Sequence, residues 1–314
     1  MRWSKLISIL FLRFLMTNLV QSSMKIFITA GISKLRFIIG IIIIFFCFNV
    51  LAWIAVFQIG ETRQFLKVVF FDVGQGDAIF IETPKKTQIL IDGGPSGQVV
   101  EKLGSELPFS DRSIDLVIAT HPDSDHISGL VEVLKSYQID SVATTGVKGS
   151  TAEFDEFAFE VEKSKASKII LKKGQKISIG NLLLYVLAPL EDFEGKTVKD
   201  YNTSSLVLKA VYGNNSFLLT GDAPQSIEKK MVEQGADLAS QVLKIGHHGS
   251  KSSSSDVFLE KVDPEIAVIQ VGKDNRYGHP NPEVLERLEK YDIRILRTDR
   301  DGDIVFLSDG NTLH

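Results

Sequence analysis

The residues THPDSDHISGL at positions 120–130 place His121, Asp123, Asp125 and His126 within six positions, in a chain of 314 residues that has only six histidines. In an extended chain, residues 121, 123 and 125 project to one side, and a tight turn into a helix sets His126 beside Asp125. Imidazole and carboxylate side chains interleaved in this way are ligands for a first-row divalent metal ion. Four such ligands on six residues cannot all reach one ion without strain, whereas two ions about 3.5–4 Å apart can share them. The spacing predicts a dinuclear centre.

The other polar residues fall in a related pattern. His247, His248 and His279 follow apolar runs and lie among Gly and Pro, as do Asp92 and Asp222. Gly74-Gln75-Gly76 leaves backbone N–H groups uncovered, which suits an anion or a plain tight turn, with Asp77 supporting that loop. Lys251, close to the two adjacent histidines, is the candidate contact for an anionic substrate. The only cysteine, Cys47, lies in an apolar run, so any metal in the rest of the chain depends on His, Asp and Glu.

The elements that must carry these residues read as alternating strands and helices. LKVVFFDVG, DAIFIETP and TQILIDGG have the composition of three strands joined by turns. A helix is expected from about Gly97 to Leu107. IDLVIATHP is too continuously apolar to be half exposed, so it is a buried central strand that delivers the motif at its C-terminal end, where ISGLVEVLKSY opens a helix. Strands are expected at 168–171, 176–179, 182–188, 205–211 and 216–220, then in QVLKIG, EIAVIQVG, RILRT and DIVFLS. The intervening helices fall near 225–233, 255–261 and 283–290. The ends of buried strands are where layered α/β folds gather their sites.

The charge is unevenly spread. Residues 1–60 carry six Lys/Arg and no acid, so the remaining 254 carry 29 basic and 39 acidic residues, a net charge of −10. Phe37 to Ile59 is an uncharged run of 23 residues, long enough to cross roughly 30 Å of hydrocarbon at about 1.5 Å per residue. It exceeds the roughly 7–15 apolar residues of a signal-peptide core. The expectation is a basic N-terminal segment over 1–36, one transmembrane helix over 37–59 and a hydrolase domain over 65–314. Leu6 to Val20 suits an interfacial helix, and Met24 is an alternative start. With the flanking positive charge all before the helix, the domain is expected outside the cytoplasm, held to the cell membrane by a single pass.

The motif HxDxDH resembles the HxHxDH signature of the metallo-β-lactamase fold. In this order, FDVGQGDAIFIE, LIDGG, THPDSDHISGL, LLTGD, LKIGHHGSKSSSS and RYGHPNPEVLERL are similar to the metallo-hydrolase domain of ComEC-type DNA-uptake proteins and their stand-alone relatives. The resemblance implies an α/β, four-layer αββα sandwich with two divalent ions, Zn or Mn. It places His121 and Asp123 on the first ion, Asp125 and His126 on the second, and Asp222 as bridging carboxylate. His247 and His248 are mapped to phosphate contact or acid catalysis, with Asp125 alongside, and His279 to the second ion; His247 as the ligand is the rival assignment. Asp72, Asp77, Asp92 and Asn202 take supporting places.

Two positions depart from the general pattern. Asp123 stands where the general motif has histidine, and Asn202 lies where relatives often supply another. Oxygen in place of nitrogen weakens the preference for zinc and favours Mn²⁺ or a mixed centre, and it leaves open a mononuclear enzyme or one whose first ion arrives with substrate. The implied reaction is in-line attack of hydroxide on a phosphodiester, with DNA as the expected substrate and a DNA-uptake channel protein as a possible partner. Against DNA stands the acidic domain, because nucleic-acid surfaces normally neutralise phosphates with Lys and Arg. Alternative expectations are hydrolysis of cell-envelope phosphodiesters, or an anchored module without catalysis.

Overall fold

The computed structural model describes residues 16–18, 20–25, 39–54 and 65–314. Two compact units divide the chain, residues 1–63 and 64–314. In the first, the described residues are helical over 16–18, 20–25 and 39–54, and the large apolar side chains of 39–54 are exposed. Among the described residues no helix is long and apolar enough to cross a membrane. The ends of the expected span, residues 37–38 and 55–59, and most of the basic segment lie outside the described residues.

In the second unit, two seven-stranded sheets face each other. The first comprises β1 (Leu66–Phe70), β2 (Ile79–Glu82), β3 (Gln88–Ile91), β4 (Ser113–Ile118), β5 (Gln138–Thr144), β6 (Ser167–Ile170) and β14 (Ile304–Ser308), in the order β14-β1-β2-β3-β4-β5-β6. The second comprises β7 (Lys176–Ile179), β8 (Leu182–Ala188), β9 (Val207–Tyr212), β10 (Asn215–Leu219), β11 (Val242–Lys244), β12 (Ile266–Ile269) and β13 (Arg294–Arg297), in the order β13-β12-β11-β10-β9-β8-β7. Each sheet is antiparallel on one side and parallel on the other: β3 to β6 are parallel in the first, β10 to β13 in the second.

Three apolar cores separate four layers. Val68, Phe70, Ile81, Ile89 and Ile118 of one sheet meet Leu184, Leu208, Phe217 and Val268 of the other in the central core. Outside the first sheet pack α1 (Gln98–Glu106), α2 (Ser124–Ser136) and α3 (Ala152–Ser164), burying Leu103, Leu130 and Phe157 against Val117 and Val142. Outside the second pack α4 (Gln225–Glu233), α5 (Asp256–Val262) and α6 (Pro282–Lys290), burying Met231, Phe258 and Leu288. This is the expected αββα sandwich.

Apart from the single-turn helix Thr298–Asp301, two helices or strands, β5 and α3, are absent from the sequence reading. β5 (QIDSVAT) interrupts its apolar residues with Asp140 and Ser141, and α3 buries only Phe157, Glu160 and Val161 while exposing Phe159, so neither has a clean period. A close helix–loop crossing completes the frame. A Cβ on Gly129 of α2 would lie 1.8 Å from the Gly93 carbonyl oxygen. Only glycine lets the helix that begins in the His/Asp motif settle against the loop after β3.

Candidate metal centre

The chemistry-bearing residues collect at the C-terminal ends of parallel strands from both sheets. Asp92 follows β3, Thr120 and His121 follow β4, Asp222 follows β10, Lys244 ends β11, and Gly246–Gly249 is the turn beyond it. Asp123 is the N-terminal cap position of α2, yet its side chain accepts no capping hydrogen bond. That leaves its carboxylate free at the mouth of the site.

His121, His126 and His248 are buried, and each commits Nδ1 to a support. The His126 Nδ1–H donates to Asp92 Oδ2 (2.8 Å). The His121 Nδ1–H donates to Thr120 Oγ1 (3.0 Å), whose hydroxyl donates to the same Asp92 oxygen (2.7 Å). The His248 Nδ1–H donates to the Gln270 carbonyl (3.0 Å). In all three rings Nε2 is then buried and without a hydrogen-bond partner, as is Asp222 Oδ1. Buried polar atoms are nearly always satisfied, so three orphaned imidazole nitrogens aimed into one space fit a metal site.

Four groups of potential ligand atoms lie within 4.8 Å of one another: His121/His126/Asp222, Asp125/His126/His248, Asp77/Asp222/His248 and Asp77/Asp92/His126. Asp222 joins the walls: Oδ1 is 3.4 Å from His126 Nε2, and Oδ2 is 3.6 Å from His248 Nε2. Asp125 Oδ2 reaches His248 Nε2 at 3.3 Å, and Asp123 Oδ2 reaches His121 Nε2 at 3.3 Å. The Asp123 and Asp125 side chains are 38% and 29% exposed, so they line the mouth whereas Asp222 lies at the floor.

The electrostatics favour positive charge here. Burial disfavours the imidazoliums of His126 and His248, but Asp222 and its neighbours outweigh it, raising His126 well above its ordinary range and pushing His248 up to about 10. Burial likewise opposes ionisation of Asp222 and Asp125, and the histidines overcome it, leaving both carboxyls well below their usual range. A carboxylate-rich floor that drives its imidazoles to collect protons attracts a divalent cation in their stead.

Not every sequence-expected residue arrives at this cluster. His279, His247 and Asp123 belong to none of the four groups among the described residues; His248 belongs to two. His247 lies beside the cluster, its Nε2 3.9 Å from Asp222 Oδ2 and its Nδ1 within 3.3 Å of the Asn202 amide nitrogen and 3.2 Å of Ser252 Oγ. His279 meets His247 edge-on, ring centroids 5.8 Å apart. Asp92 takes its expected supporting place. Asp77 sits deeper than the loop role expected of it, with Oδ1 3.4 Å from His248 Nδ1. Asp72 serves the Gly74 turn through its Oδ1, and Lys251 is exposed. The Gly74–Gly76 loop closes on the motif: a Cβ on Gly76 would lie 2.2 Å from the Asp125 carbonyl oxygen.

Sequence reasoning missed Lys244. Its ammonium is completely buried, donates to the Gly221 carbonyl (2.8 Å), pairs with Asp77 and lies 3.7 Å from Asp222 Oδ1. Burial opposes this charge, but Asp77 and Asp222 hold its pKa above the ordinary lysine value. The lone sequence cue is a lysine inside an apolar strand, VLKIG.

The serine run was also missed. His247 and His248 both occupy the left-handed backbone region, at φ +50° and +53°, a conformation costing on the order of 1–2 kcal/mol per residue. What holds the turn is the chain that follows: Ser253 Oγ donates to the Gly246 and Ser250 carbonyls, and the Ser250 N–H donates to the His247 carbonyl. Glu228 of α4 in turn accepts from the Ser254 and Ser255 backbone N–H groups.

A four-layer sandwich with a His/Asp cluster at its strand ends is the architecture of the Metallo-beta-lactamase superfamily, whose sequence profile matches residues 71–273, and the chain belongs to it. Within it, the chain is 34% identical over 259 residues to ComE operon protein 3 of Bacillus subtilis (strain 168), covering 76% of this chain and 33% of that protein. Over 107 residues it is 28% identical to the Exodeoxyribonuclease WalJ of Streptococcus pneumoniae serotype 2 (strain D39 / NCTC 7466), covering 34% of this chain and 38% of the relative. It therefore spans about a third of the length of ComE operon protein 3. Among solved structures, the metallo-beta-lactamase fold protein YhfI from Bacillus subtilis superposes with a TM-score of 0.52 at 12% identity, over 77% of this chain and 100% of that one.

Proposed function

We propose that this protein is a membrane-anchored, metal-dependent phosphodiesterase acting on DNA at the cell surface, in the service of DNA uptake. One observation carries the chemistry: three buried imidazoles, each fixed through Nδ1, turn unpartnered Nε2 atoms toward the Asp222 floor. Ions bound there, Zn²⁺ or Mn²⁺, supply Lewis acidity and a nucleophilic water at neutral pH. His121, His126, His248, Asp125 and Asp222 would hold them, with Asp123 completing the mouth beside His121.

The remaining residues position and protonate. Asp92 fixes His126 directly and His121 through Thr120. The Asn202 amide donates to His247 Nδ1, so neutral His247 keeps its proton on Nε2, the nitrogen facing the cleft. His247 is the group placed to protonate a leaving oxygen. The similarity to ComE operon protein 3, to the Competence protein ComA of Neisseria gonorrhoeae and to an exodeoxyribonuclease supports a nucleic-acid substrate and a channel partner. The uncharged run 37–59, with the basic residues before it, supports anchoring by one helix and an exported domain.

The test is hydrolysis of bis(p-nitrophenyl) phosphate and of linear DNA by the full chain in detergent, with Mn²⁺ or Zn²⁺. Wild type is expected to cleave both, and Asp222→Asn to lose about a thousandfold, because the buried carboxylate at the floor between the two walls is gone. Full activity in Asp222→Asn would overturn the reading.

A further inference from the structure

We infer that Tyr277 is a stacking platform for a nucleobase adjacent to the scissile phosphodiester, and that the strand the cleft accepts is single-stranded nucleic acid. This rests on the reading of the metal centre as a phosphodiester site. The loop after β12 carries Tyr277 on a braced backbone. Asn275 locks the loop on both sides: its Nδ2 donates to the Gly272 and His279 carbonyls (3.0 and 2.7 Å), and its Oδ1 accepts from the Tyr277 and His279 N–H groups (3.2 and 3.0 Å).

Three rings then lead from the cleft to solvent. His247, 3.9 Å from Asp222, meets His279 edge-on at 5.8 Å, and His279 stacks on Tyr277 with centroids 5.9 Å apart and planes 20° from parallel. Tyr277 remains 53% exposed; the exposed Arg276 guanidinium lies over its ring, 5.0 Å from the centroid, and donates to its hydroxyl (2.8 Å), so a base takes its place on the ring by displacing that guanidinium or stacking beside it. His279 Nδ1 is buried and has no hydrogen-bond partner, leaving a polar atom beside the platform for a ligand group. The other exposed rings of residues 65–314 have no such link. Phe109 precedes the N-terminal end of β4, opposite the end that carries His121, Phe159 lies on α3, Tyr185 lies within β8, and Phe65 precedes β1.

Charge explains why stacking is needed. Residues 61–314 carry a net −10, so neutralising phosphates cannot supply broad affinity. Aromatic stacking binds single strands with little dependence on sequence or charge, because every base offers a π-face. A base inside a duplex already has both faces covered by its neighbours, so a platform of this kind selects unstacked bases.

The experiment measures binding of a phosphorothioate-linked oligothymidylate, which resists cleavage, and of its abasic counterpart to the full chain with Mn²⁺. The expected result is at least about fivefold tighter binding of the base-bearing strand, lost in Tyr277→Ala and restored in Tyr277→Trp. Equal binding of the two strands by wild type, or an undiminished base preference in Tyr277→Ala, overturns the platform. Hydrolysis of bis(p-nitrophenyl) phosphate by wild type, measured alongside, separates the two claims. Base preference without hydrolysis sinks the phosphodiesterase reading and keeps the platform; hydrolysis without base preference does the reverse.

Discussion

The two walls of the metal cleft are built on opposite principles. The wall from the first sheet draws His121, Asp123, Asp125 and His126 from one β4–α2 junction, where the chain leaves a strand and enters a helix, and Asp92 fixes its imidazoles. The wall from the second sheet gathers Asp222, Lys244, His247 and His248 from two separate strand ends, with both histidines in left-handed backbone and a serine run, Glu228 and Gln270 holding them in place. The first wall is a local motif whose geometry follows from starting a helix. The second is assembled at a distance and kept strained, so its function depends on residues that never face the cleft.

Lys244→Met should strike the second wall hardest. Removing a buried partner leaves Asp77 as an uncompensated buried carboxylate, a loss of about 3–5 kcal/mol in unfolding free energy. Urea denaturation measures it, and added Mn²⁺ should recover part of the loss by replacing the ammonium's charge. A variant as stable as wild type would mean that the pair is idle.

In the first wall the analogous weak point is Asp92, the support shared by His126 and Thr120. Asp92→Asn should weaken metal binding about 10- to 100-fold while leaving the fold intact, because the ligands remain but their tautomers are no longer fixed. Calorimetric titration with Mn²⁺ reads this directly, and unchanged affinity would show that the motif orients itself.

The smallest effect is a pH slope confined to the second wall. Burial raises the Glu228 carboxyl to about 6, against the hydrogen bonds from Ser254 and Ser255 that favour its ionised form. The folded state therefore holds a proton that the unfolded chain releases near its ordinary 4.5. The contribution is greatest below about pH 4.5 and is lost as pH rises through about 6, by roughly 2 kcal/mol. Glu228→Gln should flatten the difference in urea midpoint between pH 4.5 and pH 7. The same slope in both proteins would assign it elsewhere.

The contrast between the walls also explains what could be read in the sequence. His121 to His126 is legible because its ligands are contiguous, and the central strands are legible because they are continuously apolar. The second wall has no such signature. Whether His247, His248 or His279 faces the metal site depends on a left-handed turn at two adjacent non-glycine residues, and no local pattern announces that conformation. Lys244 looks like a strand-end lysine until Asp77, 167 positions earlier, is folded against it. The serine run reads as a surface loop, and only its hydrogen bonds to Gly246 and Glu228 show that it braces the site. β5 and α3 escaped for a simpler reason, since polar residues interrupt the apolar period of each.

His248 is the imidazole that the second wall turns toward the metal site. Metal content of the full chain, measured after equilibration with Mn²⁺ and gel filtration, should fall in His248→Ala and stay at the wild-type level in His279→Ala. Loss of metal in His279→Ala with full retention in His248→Ala would contradict it.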